Sequence, residues 1–211
     1  MFKVNYCKQN YIDEILCLNN KFRLDRWFSK LTFLFFPLFL IFSPVQTSNT
    51  SIHSFKMTNI DGEEVDLAKY KGKVLIIVNV ASNSPLTVQY ASLQKLYTEY
   101  KAKGVVVLGF PSNSYKGELE TDKEIRSFCR SKYKITFPLF SKVAVKGASQ
   151  HQLFKYLSSK SLNGVMDAPA SWDFQKYIID KSGKLIQTIE PNKDIYDADA
   201  LATIDKLLTG A

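Results

Sequence analysis

Histidine and cysteine are scarce in this 211-residue chain. Its two histidines, His53 and His151, belong to no motif that sets an imidazole beside a serine and an aspartate. A Ser-His-Asp hydrolase therefore lacks its base. Of the three cysteines, Cys7, Cys17 and Cys129, one falls in residues 51–211. That part forms no internal disulfide and assembles no zinc site from thiolates, and no metal site is expected. Internal repeats and low-complexity tracts are absent, as is any arginine-rich stripe interleaved with aromatics, so nucleic acid is not an expected partner. Long apolar runs are few. The longest, Leu31–Phe42, extends at most to Val45 and is shorter than the roughly 18–20 residues of a spanning helix.

What is present fits one ordinary globular domain with an extension: 45% of residues are hydrophobic and 13% aromatic. The formal charge of +8 is spread along the chain rather than clustered. Such a surplus is a solvated surface, or favours an acidic membrane face or anionic small molecules.

Residues 1–30 are polar and basic, and residues 31–45 resemble a signal sequence or signal anchor. Lys21, Arg23, Arg26 and Lys30 precede the apolar run and orient the N-terminus toward the cytoplasm. Ser43-Pro44-Val45 offers no clean cleavage site. Cleaved signal, membrane anchor and a start site placed too far upstream all stay open. A polar linker, 46–52, carries the sequon Asn49-Thr50-Ser51, a glycosylation site if this side faces a lumen. Residues 53–211 are the expected globular domain, on the exocytoplasmic side.

Within that domain, Ser54–Leu67 reads as a β-hairpin turning at Asp61-Gly62. Val74–Val80 and Val105–Phe110 read as buried strands. Leu86–Ala102 places Leu86, Tyr90, Leu93, Leu96, Tyr97 and Tyr100 on one stripe, which predicts a helix closed at Gly104. Thr121–Lys132 predicts a second helix, with Thr121 and Glu124 in capping-box order. His151–Ser159 and Asp197–Leu208 predict two more. Phe174–Asp180 and Lys184–Glu190 flank Ser182-Gly183 as a second hairpin, and 159–170 shows no pattern. This order implies an α/β fold with a central mixed sheet flanked by helices and an N-terminal β-hairpin. Ser84 follows the first buried strand at a strand-to-helix turn, where free backbone N–H groups favour an anion.

Several separated motifs share one resemblance. Lys69–Val74, Val78-Asn79-Val80-Ala81-Ser82, Phe110-Pro111-x-Asn113, Phe137–Phe140 and Trp172-x-Phe174-x-Lys176 together resemble the glutathione peroxidase family across nearly all of 51–211. The resemblance implies a thioredoxin-like fold and thiol-dependent reduction of hydroperoxides. It also implies no bound cofactor, with glutathione or thioredoxin as reductant. Some members are held in the endoplasmic reticulum by one N-terminal hydrophobic segment and others are secreted, so, with the apolar segment 31–45, the secretory pathway is the expected location. The oligomeric state stays open.

The family joins a cysteine or selenocysteine, a glutamine, a tryptophan and an asparagine at its reactive site. By the resemblance these positions fall on Ser84, Ser114, Trp172 and Asp173, of which only the tryptophan is retained. Pro85 stands where the family usually has glycine and removes one N–H from the turn. A serine hydroxyl is protonated at neutral pH and has no counterpart of the sulfenic state through which peroxide is reduced. An ionised Asp173 would disfavour a nearby anion. The expectation is a catalytically impaired pseudo-peroxidase. Two alternatives stay beside it: residual thiol peroxidase activity through Cys129, which lies next to the family's second-cysteine position, and a non-catalytic lumenal binding module. Ser84 as a simple cap, Trp172 as a core aromatic and Cys129 as a buried hydrophobe are the plain structural readings.

Overall fold

The computed structural model describes residues 51–210. Cys7, Cys17, the apolar segment 31–45, Asn49 and residues 46–50 of the linker lie outside the described residues. Strands β1 (Lys56–Thr58) and β2 (Glu64–Asp66) pair antiparallel as the expected hairpin, with Met57 opposite Val65. Its turn is an Asn59 device: the side-chain oxygen accepts from the N–H groups of Asp61 and Glu63 at 3.0 and 2.9 Å. Gly62 supplies the positive φ of 90°.

Strand β3 (Val74–Val80) is buried along its whole length and is the second strand of a four-stranded sheet. It runs parallel to β4 (Val105–Pro111) on one side and antiparallel to β5 (Lys176–Ile179) on the other, and β5 pairs with β6 (Leu185–Ile189). The parallel β3–β4 pair requires a crossover, supplied by helix α1 (Gln89–Tyr100). Because side chains alternate across a strand, β3 serves two cores. Val74, Ile76, Val78 and Val80 pack with Tyr90, Leu93 and Leu96 of α1, and with helices α2 (Asp122–Tyr133) and α5 (Ala198–Thr209). Leu75 and Ile77 pack on the other face with the β1–β2 hairpin and helix α3 (Gln152–Ser158). The result is a mixed sheet covered on both faces, the architecture the element order implies.

The local signals account for most boundaries. Thr121 and Glu124 form the full capping box of α2, His151 caps α3 and Asp197 caps α5. Gly104 takes φ 105° just before β4. Two boundaries differ from the sequence reading. Helix α1 begins at Gln89 rather than Leu86, because residues 84–88 form successive tight turns: Thr87 N–H bonds to Ser84 O at 3.1 Å and Gln89 N–H to Leu86 O at 3.0 Å. Strand β5 begins at Lys176 rather than Phe174, because Phe174 takes φ 64° and breaks the extended run. The unreadable stretch 159–170 holds the one-turn helix α4 (Lys160–Asn163). Here the buried Asn163 amide donates to Tyr156 O and Met166 O and accepts from the N–H groups of Val165 and Met166.

Candidate functional site

Three chain segments meet where β3 ends. Ser84 is buried, 6% exposed, and its hydroxyl accepts from Leu86 N–H at 3.3 Å. It therefore caps the short turn, not helix α1, whose first turn has no side-chain cap. Thr87 fixes the turn from below, donating its hydroxyl to the Ser84 carbonyl.

The second segment is the loop after β4. Asn83 N–H bonds to Gly117 O at 2.8 Å, and Ser82 N–H bonds to Glu118 Oε1 at 3.1 Å. These bonds dock Gly117 and Glu118 on the Ser84 turn. A Cβ on Gly117 would stand 3.2 Å from Asp173 Oδ2 and 3.6 Å from Ser84 N, so this glycine permits the close approach. Ser114, the loop position expected beside Ser84, is spent elsewhere. Its oxygen accepts from Val145 N–H and the Ser112 hydroxyl, both at 3.0 Å. The acid that reaches the turn is Glu118, four residues on, which sequence reasoning missed. The sequence carries no signal for it, because its burial, 8% exposed, arises only from packing.

The third segment is Trp172-Asp173-Phe174. Asn79, fully buried in β3, donates its amide to Trp172 O at 3.1 Å, and its own carbonyl accepts from Phe174 N–H at 2.6 Å. With Phe174 packed edge-on against Tyr90 at 5.3 Å, the positive-φ kink turns Asp173 inward and Trp172 outward. Asp173 is 1% exposed and Trp172 is 45% exposed, so Trp172 is no core aromatic. Its ring lies 5.0 Å from that of Tyr115, and Lys146 Nζ stands 3.7 Å from the Tyr115 centroid.

Electrostatics reverse what the turn alone would favour. Burial pushes the Asp173 carboxyl up to about 6, opposed by the Ser84 hydroxyl and the Lys146 charge. Burial also raises Glu118, and the Asp173 charge adds to it. Asp173 Oδ1, Glu118 Oε2 and Ser82 Oγ find no hydrogen-bond partner among the described residues. A turn expected to welcome an anion is thus lined by two carboxyls. No described imidazole is bonded to Ser84: His53 Nδ1 faces Leu67 O at 3.2 Å, and His151 accepts from Leu153 N–H. Cys129, the single free thiol among the described residues, is fully buried in the core against α1. Burial pushes it up to about 11.

The comparisons with known proteins agree with each other. Residues 52–158 match the family model described as glutathione peroxidase. The chain is 45% identical over 143 residues to a glutathione peroxidase homolog, BsaA, of Halalkalibacterium halodurans, covering 67% of this chain and 90% of that one. It is 41% identical over 149 residues to the hydroperoxy fatty acid reductase gpx1 of Synechocystis, covering 66% and 86%. Among solved structures, Trgpx in its apo form superposes with a TM-score of 0.60 at 31% identity, covering 77% of this chain and 97% of the other. A thioredoxin-family thiol:disulfide interchange protein from Chlorobium tepidum reaches 0.54 at 18% identity, over 76% and 97%. That last likeness is one of fold alone, and it marks the sheet and helices described above as thioredoxin-like.

Proposed function

The chain belongs to the glutathione peroxidase family, and from that premise we propose that its domain keeps the family's scaffold but does not reduce peroxide, acting instead by binding. The family reaction is peroxide reduction, with hydroperoxides as substrates and thiols as reductants. It begins with an ionised sulfur or selenium attacking a peroxide oxygen. One observation carries the proposal: the reactive position holds a hydroxyl, Ser84, set between two buried carboxyls, Glu118 and Asp173.

Each neighbour works against an anion there. When ionised, Asp173 and Glu118 bring negative charge and compete for the same donors. Ser82 N–H is already committed to Glu118. Pro85 has no N–H to offer. A hydroxyl in this setting stays protonated, and oxygen has no oxidised state for a thiol to reduce. Cys129 does not replace it on this reading: full burial and a raised pKa make it an inert core thiol. We further place the domain in the secretory pathway, anchored through 31–45 or released from it.

The test is peroxide consumption by the full chain with glutathione and with thioredoxin, beside Ser84→Ala and Cys129→Ser. Equal background rates in all three are expected. Turnover well above the Ser84→Ala control would refute the proposal, and turnover lost only in Cys129→Ser would establish the residual peroxidase in its place.

A further inference from the structure

The end of the sheet opposite the Ser84 turn gathers lysines that are far apart in the sequence. Val74 opens β3 beside Val105, which opens β4, while Ile179 closes β5 between Leu75 and Leu185. The residues just outside these positions, Lys71, Lys73, Lys101, Lys103, Lys181 and Lys184, therefore share one pole, and all six are exposed. We propose that this pole is a seat for an anionic lipid surface, which holds the domain with its Ser84 turn directed away from the membrane. The inference rests on the anchoring through 31–45 proposed above and adds the face that meets the lipid.

The first support is the charge. Backbone bonds tie the pole together, Gly72 N–H to Lys181 O at 2.9 Å and Val74 N–H to Gly104 O at 3.0 Å. None of the six lysines joins an ion pair among the described residues. Lys181 instead donates to Leu208 O at 2.9 Å, which brings the end of α5 to the same pole. The nearby acids are engaged locally. Asp66 accepts from Ala68 N–H at 2.7 Å, and Asp180 accepts from the N–H groups of Ser182 and Lys184 at 2.9 and 2.8 Å. Glu99 accepts from the Tyr196 hydroxyl and pairs with Lys95, while Asp205 is followed by Lys206. Ammonium groups on long flexible stems, spread over one surface, make a diffuse cationic face rather than a pocket for one small anion. Its complement is an extended anionic surface.

The second support is where the chain enters the domain. Ile52 N–H bonds to Gly183 O at 3.0 Å, so the entering chain lies on this pole, at the turn that carries Lys181 and Lys184. The apolar segment ends at Val45, and the seven residue steps from there to Ile52 span at most about 25 Å when fully extended. A membrane that holds 31–45 is never farther than that from the bond at Gly183. Strand β3 runs its seven residues away from the pole, which sets the Ser84 turn about 20 Å farther off. A hydrophobic anchor and a polybasic face are two signals that act together in holding a protein on lipid.

The test is lysine footprinting on the full chain added to preformed vesicles, so that the domain stays outside. One set is phosphatidylcholine alone and the other carries about 30% phosphatidylglycerol. Amines are acylated and each lysine is read by mass spectrometry. On the mixed vesicles the six pole lysines should react about three- to fivefold more slowly than on phosphatidylcholine. Lys116, beside the Ser84 turn, should keep its rate. The variant carrying Lys71→Glu, Lys101→Glu, Lys103→Glu and Lys184→Glu, all exposed positions, should return Lys73 and Lys181 to their phosphatidylcholine rates. Equal rates on the two vesicles, slowing that includes Lys116 equally, or protection that survives in the variant would overturn the proposal. Failure of the anchor reads separately, as no sedimentation with phosphatidylcholine vesicles, and leaves the lysine comparison decisive.

Discussion

Asp173 combines near-complete burial with a carboxyl raised to about 6, and this gives the site a pH signature. Between its ordinary value near 4 and 6, the native state holds a proton that the unfolded chain has released. Stability therefore falls as pH rises through that window and stays lower above it. Asp173→Asn removes the penalty. Urea unfolding should find the variant more stable than the parent by about 1–2 kcal/mol at pH 7 and equal to it near pH 4. An unchanged difference across the window would mean that Asp173 titrates normally. The same residue enters a reconstruction. Ser84→Cys alone should recover little peroxide turnover, and adding Glu118→Gln and Asp173→Asn should recover more, because amide donors then replace both acids. Substituting Ser114→Gln for Glu118→Gln in that triple should lose the gain, since the Ser114 hydroxyl is directed to Val145 and Ser112. Equal activity of the two triples would place the loop's contribution at Ser114.

At the scale of elements, the lip 190–193 after β6 hangs on few bonds. Its conformation depends on one ammonium serving three carbonyls, and burial lowers Lys176 to about 8, opposed by the Asp194 charge. Lys176→Met fits the space but leaves those carbonyls without their donor. A loss of about 2–4 kcal/mol is expected by urea unfolding, with faster amide exchange confined to residues 190–195. A loss below about 0.5 kcal/mol would show that the lip is held by Gln89 and packing instead. Elements with strong local signals were readable in the sequence: the Asp61-Gly62 turn, the Thr121 capping box and the largely apolar β3. Elements without a periodic signal were not. The start of α1 is set by i→i+3 turns over 84–88 and α4 by the Asn163 amide, local bonds that leave no periodic trace, whereas the start of β5 is set from a distance by Asn79 gripping the backbone around Phe174.

For the molecule as a whole, the domain presents a sheet covered on both faces, with Trp172 exposed beside the Ser84 turn. The secretory location proposed above predicts a glycan at Asn49. Expressed in eukaryotic cells, the protein should show a mobility shift that endoglycosidase removes and Asn49→Gln abolishes. No shift in either form would argue for the cytosolic side or for an upstream start site.

Composition and motif order alone determined the family and the α/β architecture, because apolar periodicity, caps and turn residues act locally and leave a linear record. They also put a serine, Ser84, where the resemblance expects sulfur, which needs no coordinates. Only the tertiary structure decided which groups surround that hydroxyl. Ser114 and Glu118 are four residues apart in one loop, and the Asn83–Gly117 and Ser82–Glu118 bonds bring Glu118 to the turn. Burial then decided the rest. It set Cys129 out of reach in the core, raised both carboxyls and left Trp172 in solvent, and burial is a property of packing that no single stretch of chain encodes.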